Sequence, residues 1–414
     1  MYMKAYPILK GNSFYLSIER LILNASADDE IIANYFVIRE DTMGLKFCSL
    51  LLDAAKRGVR IKLIIDSYGS CHVAGNGTEY IGDPLSEDLL TTLRLNGIEL
   101  YIYRPIISNK ILHPFNLFQW KNYSRRNHNK IFVFNLKRLK KRGVIVGDTQ
   151  WANEHFNSQF IGHNLLIFST DLYIQAKQYN TNLLHTDECK QYLNNHVSSK
   201  AMSFWEKRLS FLHKKVPFQF NFLNEFHIEK ADFVYSEIQF DCMESRKTIQ
   251  DIEINLLKKM QTKGVYCTPY FCPDLKMLKA LLSFLKKGGK VFIGKYSDDP
   301  YLPYGVHQAI KYLSKKCFSV FSYEGYGNVH YKDLICDDQV FIKSANGEGR
   351  SRFYNLDSGI LVQDHELAKY FIMEHKKSEA YFSEIMTVEQ VEIKHTFFER
   401  VIKFLFRPFY YHHL

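Results

Sequence analysis

A duplicated α/β fold, made of two similar halves, is the architecture the sequence predicts. Three observations lead there. The order strand, amphipathic helix, strand occurs twice along the chain; each occurrence is followed by a strand bearing H-x-K; and the two H-x-K segments, NHNKIFVFN and NVHYKDLICD, lie about 200 residues apart. The chain has 414 residues, 46% hydrophobic and 15% aromatic, enough for a large core and too long for one ordinary domain.

In the first half, IIANYFVI (31–38) is a short apolar run that reads as a buried strand. LKFCSLLLDAAKR follows, with Leu45, Leu50, Leu51, Ala54 and Ala55 on one helical face. RGVRIKLIID then turns at Gly58 into a second strand, completing a βαβ unit and implying a parallel pairing. The second half repeats this with GVYCTPYF, the helix DLKMLKALLSFLKK carrying Leu275, Leu278, Leu281, Leu282 and Leu285 in register, a helix end at Gly288-Gly289, and GGKVFIGKYSD. Because βαβ patterns arise in many folds, the matched H-x-K strands carry the duplication. The predicted repeats are 1–210 and 226–390, joined near 205–228 where SFWEKRLSFLHKK gives way to VPFQFNFLNEFHIEK, with a tail at 391–414.

On a strand, residues i and i+2 share a face, so His330 and Lys332 point one way and Tyr331 the other. An imidazole beside an ammonium is an unfavourable pairing unless an anion lies between them, and phosphate is the natural anion. Lysine supplies a point charge to its oxygens, Ser344 and Asn346 can add hydrogen bonds, and histidine is left to act on phosphorus or on a leaving oxygen. Displacement at a phosphodiester benefits from two histidines, one attacking and one protonating the departing alkoxide. Two half-sites facing each other supply both.

The formal charge of +10 favours anionic partners, nucleic acid or an acidic membrane surface. Eight scattered cysteines form neither a disulfide framework nor a zinc pattern, which favours a reducing compartment. His155, His163, His185 and Cys189 lack metal-ligand spacing. No P-loop, G-x-S-x-G or dinucleotide fingerprint occurs. Without a signal peptide or a run of about eighteen apolar residues, the expectation is a soluble or peripheral protein.

HNK at 128–130 and HYKDLICD at 330–337, followed by SANGEGRS and NLD, resemble the paired H-x-K-x4-D motifs of the phospholipase D superfamily. YFVIREDTMG, LLDAAKRGVRIKLIIDSYGS, VIVGDTQWANEHF and TPYFCPD occur in the order and approximate spacing of the bacterial cardiolipin synthases, especially the short type without N-terminal transmembrane helices. The resemblance implies a duplicated phospholipase D-like fold of two pseudo-twofold-related α/β/α repeats, with the active site at their interface. It implies His128, Lys130, His330 and Lys332 as catalytic residues, Gln150, Ser344, Asn346 and Asp357 as phosphate-binding or orienting residues, and Asn135 and Asp337 as structural motif positions. His128 is the implied nucleophile, forming a phosphohistidine, and His330 the acid, supported by Asp357 if that carboxylate reaches its far nitrogen. No metal or cofactor is called for, since two lysines supply the positive charge.

The first motif departs from the family. Asn135 replaces aspartate, Asp148 and Gln150 replace a glycine and an asparagine of G-G-x-N, and Asn164 stands where a carboxylate is common. In the second, Lys343 replaces a glycine and Asp357 a glutamate. Asp148 facing the phosphate would repel it, so it is expected to point elsewhere or to pair with Arg125 or Arg126.

The implied activity is phosphatidyl transfer joining two phosphatidylglycerols, or a related pair, by a protein peripheral on the cytoplasmic face of the inner membrane. The alternatives are a phospholipase D or nuclease-type phosphodiesterase, and a degenerate binder of anionic lipid or nucleic acid. The basic hairpin NLKRLKKRG reads equally as a lipid-headgroup contact or a solvated loop. The tail TFFERVIKFLFRPFYYHHL suits an amphipathic segment in the membrane interface.

Overall fold

The computed structural model describes residues 3–9, 11–71, 83–105, 125–157, 160–210, 224–236, 248–295, 302–349, 351 and 355–385. The tail at 391–414 lies outside them. The chain divides into two compact units, Met1–His227 and Ile228–Leu414.

The first unit runs β1 (Met3–Ile8), α1 (Gly11–Leu23), β2 (Glu30–Tyr35), α2 (Thr42–Lys56), β3 (Arg60–Asp66), α3 (Glu87–Leu95), β4 (Glu99–Tyr103), β5 (Lys130–Leu136), β6 (Lys141–Gly147), β7 (Phe160–Ile161), β8 (Asn164–Phe168), α4 (Thr170–Leu184), β9 (Cys189–Gln191) and α5 (Ser199–Leu209). After β10 (Phe226–Ile228), the second unit runs β11 (Lys230–Tyr235), α6 (Thr248–Lys259), β12 (Gly264–Thr268), β13 (Phe271–Cys272), α7 (Leu275–Lys286), β14 (Lys290–Ile293), α8 (Leu302–Ser314), β15 (Val320–Tyr323), β16 (Asn328–Val329), β17 (Asp333–Cys336), β18 (Gln339–Lys343), β19 (Gly347–Glu348), β20 (Ser358–Gln363), α9 (His365–Ser378) and β21 (Phe382–Ile385).

The sheet of the first unit contains the order β1-β8-β6-β5-β2-β3-β4-β9, and that of the second β11-β20-β18-β17-β12-β14-β15-β21. Each strand of one unit has a counterpart at the same place in the other. The directions agree as well: β2, β3 and β4 are parallel, as are β12, β14 and β15, while the H-x-K hairpins β5–β6 and β17–β18 are antiparallel and join the parallel part through β2 and β12. Both units therefore carry one mixed sheet with the same topology, the duplicated α/β fold expected from the repeated motifs.

Local chemistry explains the first βαβ crossovers. Asp41 caps α2 by accepting from the Met43 and Gly44 amides, and Asp274 caps α7 by accepting from Met277. Each helix ends at a glycine in the left-handed region, Gly58 at φ 85° and Gly288 at φ 86°, where a side chain would be strained. Helix α2 is buried nearly all round, including Phe47, Cys48, Leu50, Leu51 and Leu52. The predicted apolar stripe of α7 needs one correction: Leu275, the first helical residue, is 67% exposed, because the stripe starts at Met277 and Leu278. A second correction concerns the H-x-K segment of the second unit. Strand β17 begins at Asp333, so His330 and Lys332 occupy the stretch that leads into it.

Candidate active site

Each unit builds its H-x-K segment with the same local bond. Lys130 Nζ donates to the carbonyl of His128 at 2.6 Å, and Lys332 Nζ to the carbonyl of His330 at 2.5 Å. All four residues are buried. A buried ammonium needs oxygen partners, and the carbonyl two residues upstream provides one without help from any other element. Lys332 Nζ also lies 3.1 Å from His330 Nδ1. An ammonium offers only protons, so a ring nitrogen that bonds it presents a lone pair. In the first unit Phe36 packs its ring edge on His128, with centroids 5.1 Å apart, and lies 5.6 Å from the Lys130 ammonium.

The residues flanking His128 point into the core and form a polar ladder that sequence reasoning missed. Asn34 Nδ2 donates to Asn180, Asn127 Nδ2 to Asn34, and Asn129 Nδ2 to Asn127 and to the hydroxyl of Tyr179, all between 2.7 and 2.8 Å and all buried. These bonds tie the His128 segment to β2 and α4. The signal was present in the N-H-N alternation, since residues on either side of an outward histidine must face inward. In the second unit the same location holds a different set. The Cys267 sulfur lies 3.7 Å from His375 Nδ1, and His375 Nε2 lies 3.0 Å from Asp333 Oδ2, with Tyr331 edge-on to the His375 ring. Burial, the largest influence, pushes the Cys267 thiol well above its ordinary pKa of 9, so this buried chain is a brace and not a reactive thiol site.

Both arginines named as possible partners of Asp148 lie beside carboxylates. Arg126 lies 3.4 Å from Asp66, which also accepts from the Asn127 amide at 2.9 Å, and Arg125 lies 3.5 Å from Glu188. Gln150 is buried, and its loop is anchored by Trp151, whose ring stacks on Phe47 with centroids 4.1 Å apart.

In the second unit, Ser344 Oγ donates to Asp357 Oδ1 at 2.6 Å and accepts from the Ser358 amide at 3.0 Å. Its proton is thereby directed at the carboxylate, which makes it a brace for Asp357. Asn346 sits nearby, its Nδ2 donating to Glu348 at 3.3 Å. Lys343, the other departure, is fully buried and pairs with Glu253 at 3.0 Å while donating to the Ala345 carbonyl at 2.9 Å. It is an internal strut between β18 and α6.

The backbone corrects one alignment taken from the family resemblance. Ser344 N donates to Ser358 O, and Asp148 N to His163 O. Ser344 and Asp148 are thus equivalent, as are Ser358 and His163, so the counterpart of Asp357 is Gly162. Asn164, aligned with the carboxylate by sequence, instead bonds Thr149 through both its amide atoms, accepting from the Thr149 amide and donating to its hydroxyl.

Asp337 sits at the turn of the second hairpin at φ 53° and accepts from the amides of Gln261 (2.8 Å), Thr262 (2.9 Å) and Lys263 (3.3 Å) and from the Thr262 hydroxyl (2.8 Å). Partial burial opposes its ionisation, but these donors outweigh it and hold the carboxyl below its usual 3.8. At the matching joint of the first unit the carboxylate comes from the other side. Asp29, just ahead of β2, accepts from the amide of Lys137 at 2.7 Å and from Ser26. Asn135 has no such joint to hold, and lies in β5 opposite Glu30 and Arg142.

Among the described residues no helix is long and apolar enough to cross a membrane. The family described as "Cardiolipin synthase, PLD-like domain" matches residues 254–378, all within the second unit. Cardiolipin synthase B of Escherichia coli K12 is 24% identical over 361 residues, covering 86% of this chain and 75% of the relative, and that of Shigella flexneri matches to the same extent. Among solved structures, phosphatidylserine synthase of Haemophilus influenzae Rd KW20 superposes with a TM-score of 0.66 at 12% identity, over 98% of this chain and 93% of that one. Polyphosphate kinase of Porphyromonas gingivalis reaches 0.55 at 12% identity, over 98% of this chain and 53% of that one. The second unit thus matches the PLD-like family, and with the paired H-x-K segments, the shared bond from each lysine to its histidine and the sheet order found twice, the likeness of the chain is to enzymes of the phospholipase D superfamily.

Proposed function

We propose that the protein is a phosphatidyltransferase of the cardiolipin synthase type, joining two phosphatidylglycerols or a related phospholipid pair through a phosphohistidine. The observation that carries the reading is the repeated clamp: each unit presents a buried lysine bonded to the carbonyl of its own histidine, at 2.6 and 2.5 Å. Two such half-sites working on one phosphorus supply what a phosphodiester exchange needs.

His128 attacks phosphorus, the bond to the departing glycerol oxygen breaks, and protonated His330 gives that oxygen its proton. His330, now neutral, takes the proton of an incoming hydroxyl, whose oxygen displaces His128. Lys130 and Lys332 balance the charge gathering on the phosphoryl oxygens. Before substrate arrives, the ammonium 3.1 Å from His330 Nδ1 suits an unprotonated ring. The incoming phosphate anion is what makes a protonated His330 tolerable beside Lys332. Asp337 and Asn135 take no part in this chemistry; Asp337 holds its hairpin, and Asn135 is a strand residue of β5. The enzyme works at the cytoplasmic face of the inner membrane, attached peripherally, with anionic phospholipid as substrate and the 137–142 hairpin at the headgroups.

Purified protein on phosphatidylglycerol vesicles is expected to form cardiolipin and free glycerol, and His330→Ala and His128→Ala to abolish both. Trapped phosphohistidine should map to residue 128 by mass spectrometry. Phosphatidic acid as sole product would replace the transferase with a hydrolase, and cleavage of single-stranded DNA with inert lipid would replace it with a nuclease.

A further inference from the structure

We propose that Asp148 is a positioning residue of the reaction centre, supplying from the end of β6 the carboxylate that Asp357 supplies from the start of β20 in the second unit. The inference rests on the proposed phosphoryl-transfer reading for its kinetic consequence, and for the assignment on the internal geometry of each unit compared position by position.

Three equivalences established by backbone bonds define the exchange. Ser344, Ala345 and Asp357 in the second unit correspond to Asp148, Thr149 and Gly162 in the first. In the second unit a small hydroxyl sits on β18 and its proton braces a carboxylate across the ladder. In the first, the carboxylate sits on the β6 side and the position across the ladder has no side chain. The space confirms the trade: a Cβ built on Gly162 would overlap Asp148 Oδ1 and, next, Thr149 Oγ1. The Asp148 carboxylate therefore occupies the volume into which a side chain at 162 would grow, where its counterpart Asp357 grows in the other unit.

The neighbours change with it. Thr149 and Asn164, bonded at 2.7 Å, stand where the second unit has Ala345 and Gly359. The first motif thus keeps a carboxylate at this place, and its departures at 148 and 164 belong to one rearrangement. Asp148 is fully buried. A buried carboxylate is costly unless it accepts strong hydrogen bonds, and the role proposed for this one is to accept a ring N–H of a catalytic histidine, fixing the tautomer and presenting the other nitrogen to phosphorus.

The test uses the full chain and two readouts: kcat and KM on phosphatidylglycerol vesicles, and the 15N shifts of the imidazoles of His128 and His330, which report where each ring proton sits. Asp148→Ser is expected to lower kcat about 10²-fold with little change in KM, and to remove the single-tautomer signature of one of these histidines. The triple variant Asp148→Ser, Thr149→Ala, Gly162→Asp, which writes the second unit's arrangement into the first, is expected to regain at least tenfold of that kcat and the single tautomer. Melting temperatures accompany each variant, since a merely structural Asp148 would lower Tm while leaving kcat per folded molecule and both tautomers in place. That result overturns the proposal, as does a folded triple variant no better than Asp148→Ser. If wild type forms no transfer product yet its tautomer is lost in Asp148→Ser and regained in the triple variant, the positioning role stands and the transferase reading falls.

Discussion

Replacing Asp337 separates a carboxylate that holds the fold from one that performs chemistry. Four donors converge on it, three of them backbone amides of Gln261, Thr262 and Lys263, and its φ of 53° is one that alanine adopts at a cost. Hydrogen bonds to a charged acceptor contribute roughly 1.5–3 kcal/mol when buried, and this site is partly solvated, so the whole cluster is worth about 2 kcal/mol. Asp337→Gly removes the cluster and tolerates the backbone, for a loss of about 2 kcal/mol. Asp337→Ala adds about 1 kcal/mol of left-handed strain, and Asp337→Asn, which keeps one acceptor oxygen and tolerates this conformation, loses about 1 kcal/mol. Urea unfolding of the full chain, followed by far-UV circular dichroism at neutral pH, should show the largest loss for alanine, then glycine, then asparagine, with kcat of folded protein unchanged. Because the folded carboxyl titrates below its usual 3.8, its contribution is complete above that value and is lost as pH falls through the depressed one. The gap between wild type and Asp337→Gly should therefore close on acidification below the usual carboxylate range. Equal losses for glycine and alanine, or a gap that persists in acid, would refute the reasoning.

Lys343→Met strands the buried Glu253 carboxylate and should cost about 3–5 kcal/mol, whereas Glu253→Leu with Lys343→Met should cost much less; equal losses in denaturant titrations would show that the pair is not an internal strut. His375→Phe leaves Asp333, fully buried, without its imidazole and should lower stability by about 3 kcal/mol, partly recovered when Asp333→Asn is added; an unchanged melting curve contradicts the bracing role. Lys130→Met and Lys332→Met should each lower kcat by at least about 10²-fold, measured on phosphatidylglycerol vesicles. A fall confined to KM would mean that the ammonium groups bind the ground state and the transition state alike.

Much of the architecture was legible from residue pattern. The duplication followed from H-x-K written twice, and the helix ends at Gly58 and Gly288 from the need for positive φ before the next strand. The hairpin NLKRLKKRG was placed correctly by its charged run between two apolar stretches. What escaped was pairing across strands. The family resemblance put Asn164 at the place of a carboxylate, but the segments linking β6 to β8 and β18 to β20 differ in length, and only the Asp148–His163 and Ser344–Ser358 backbone bonds reveal Gly162 as the counterpart of Asp357. The exchange of Asp337 for Asp29 was hidden for the same reason, since a carboxylate can serve one joint from either of two distant segments. The asparagine ladder escaped because asparagine ordinarily belongs to turns and surfaces, and its burial becomes tolerable only where several bond one another.

The bond from each lysine to the carbonyl two residues behind it has a consequence for evolvability of the reaction centre. A cation fastened to its own main chain is aimed before any ligand arrives, so little reorganisation accompanies the appearance of negative charge. The same tether is short. Arginine, longer and planar, has no way to reach back to that oxygen and still present its charge at the same point, which makes these two positions intolerant of the exchange of basic residues that most surfaces accept.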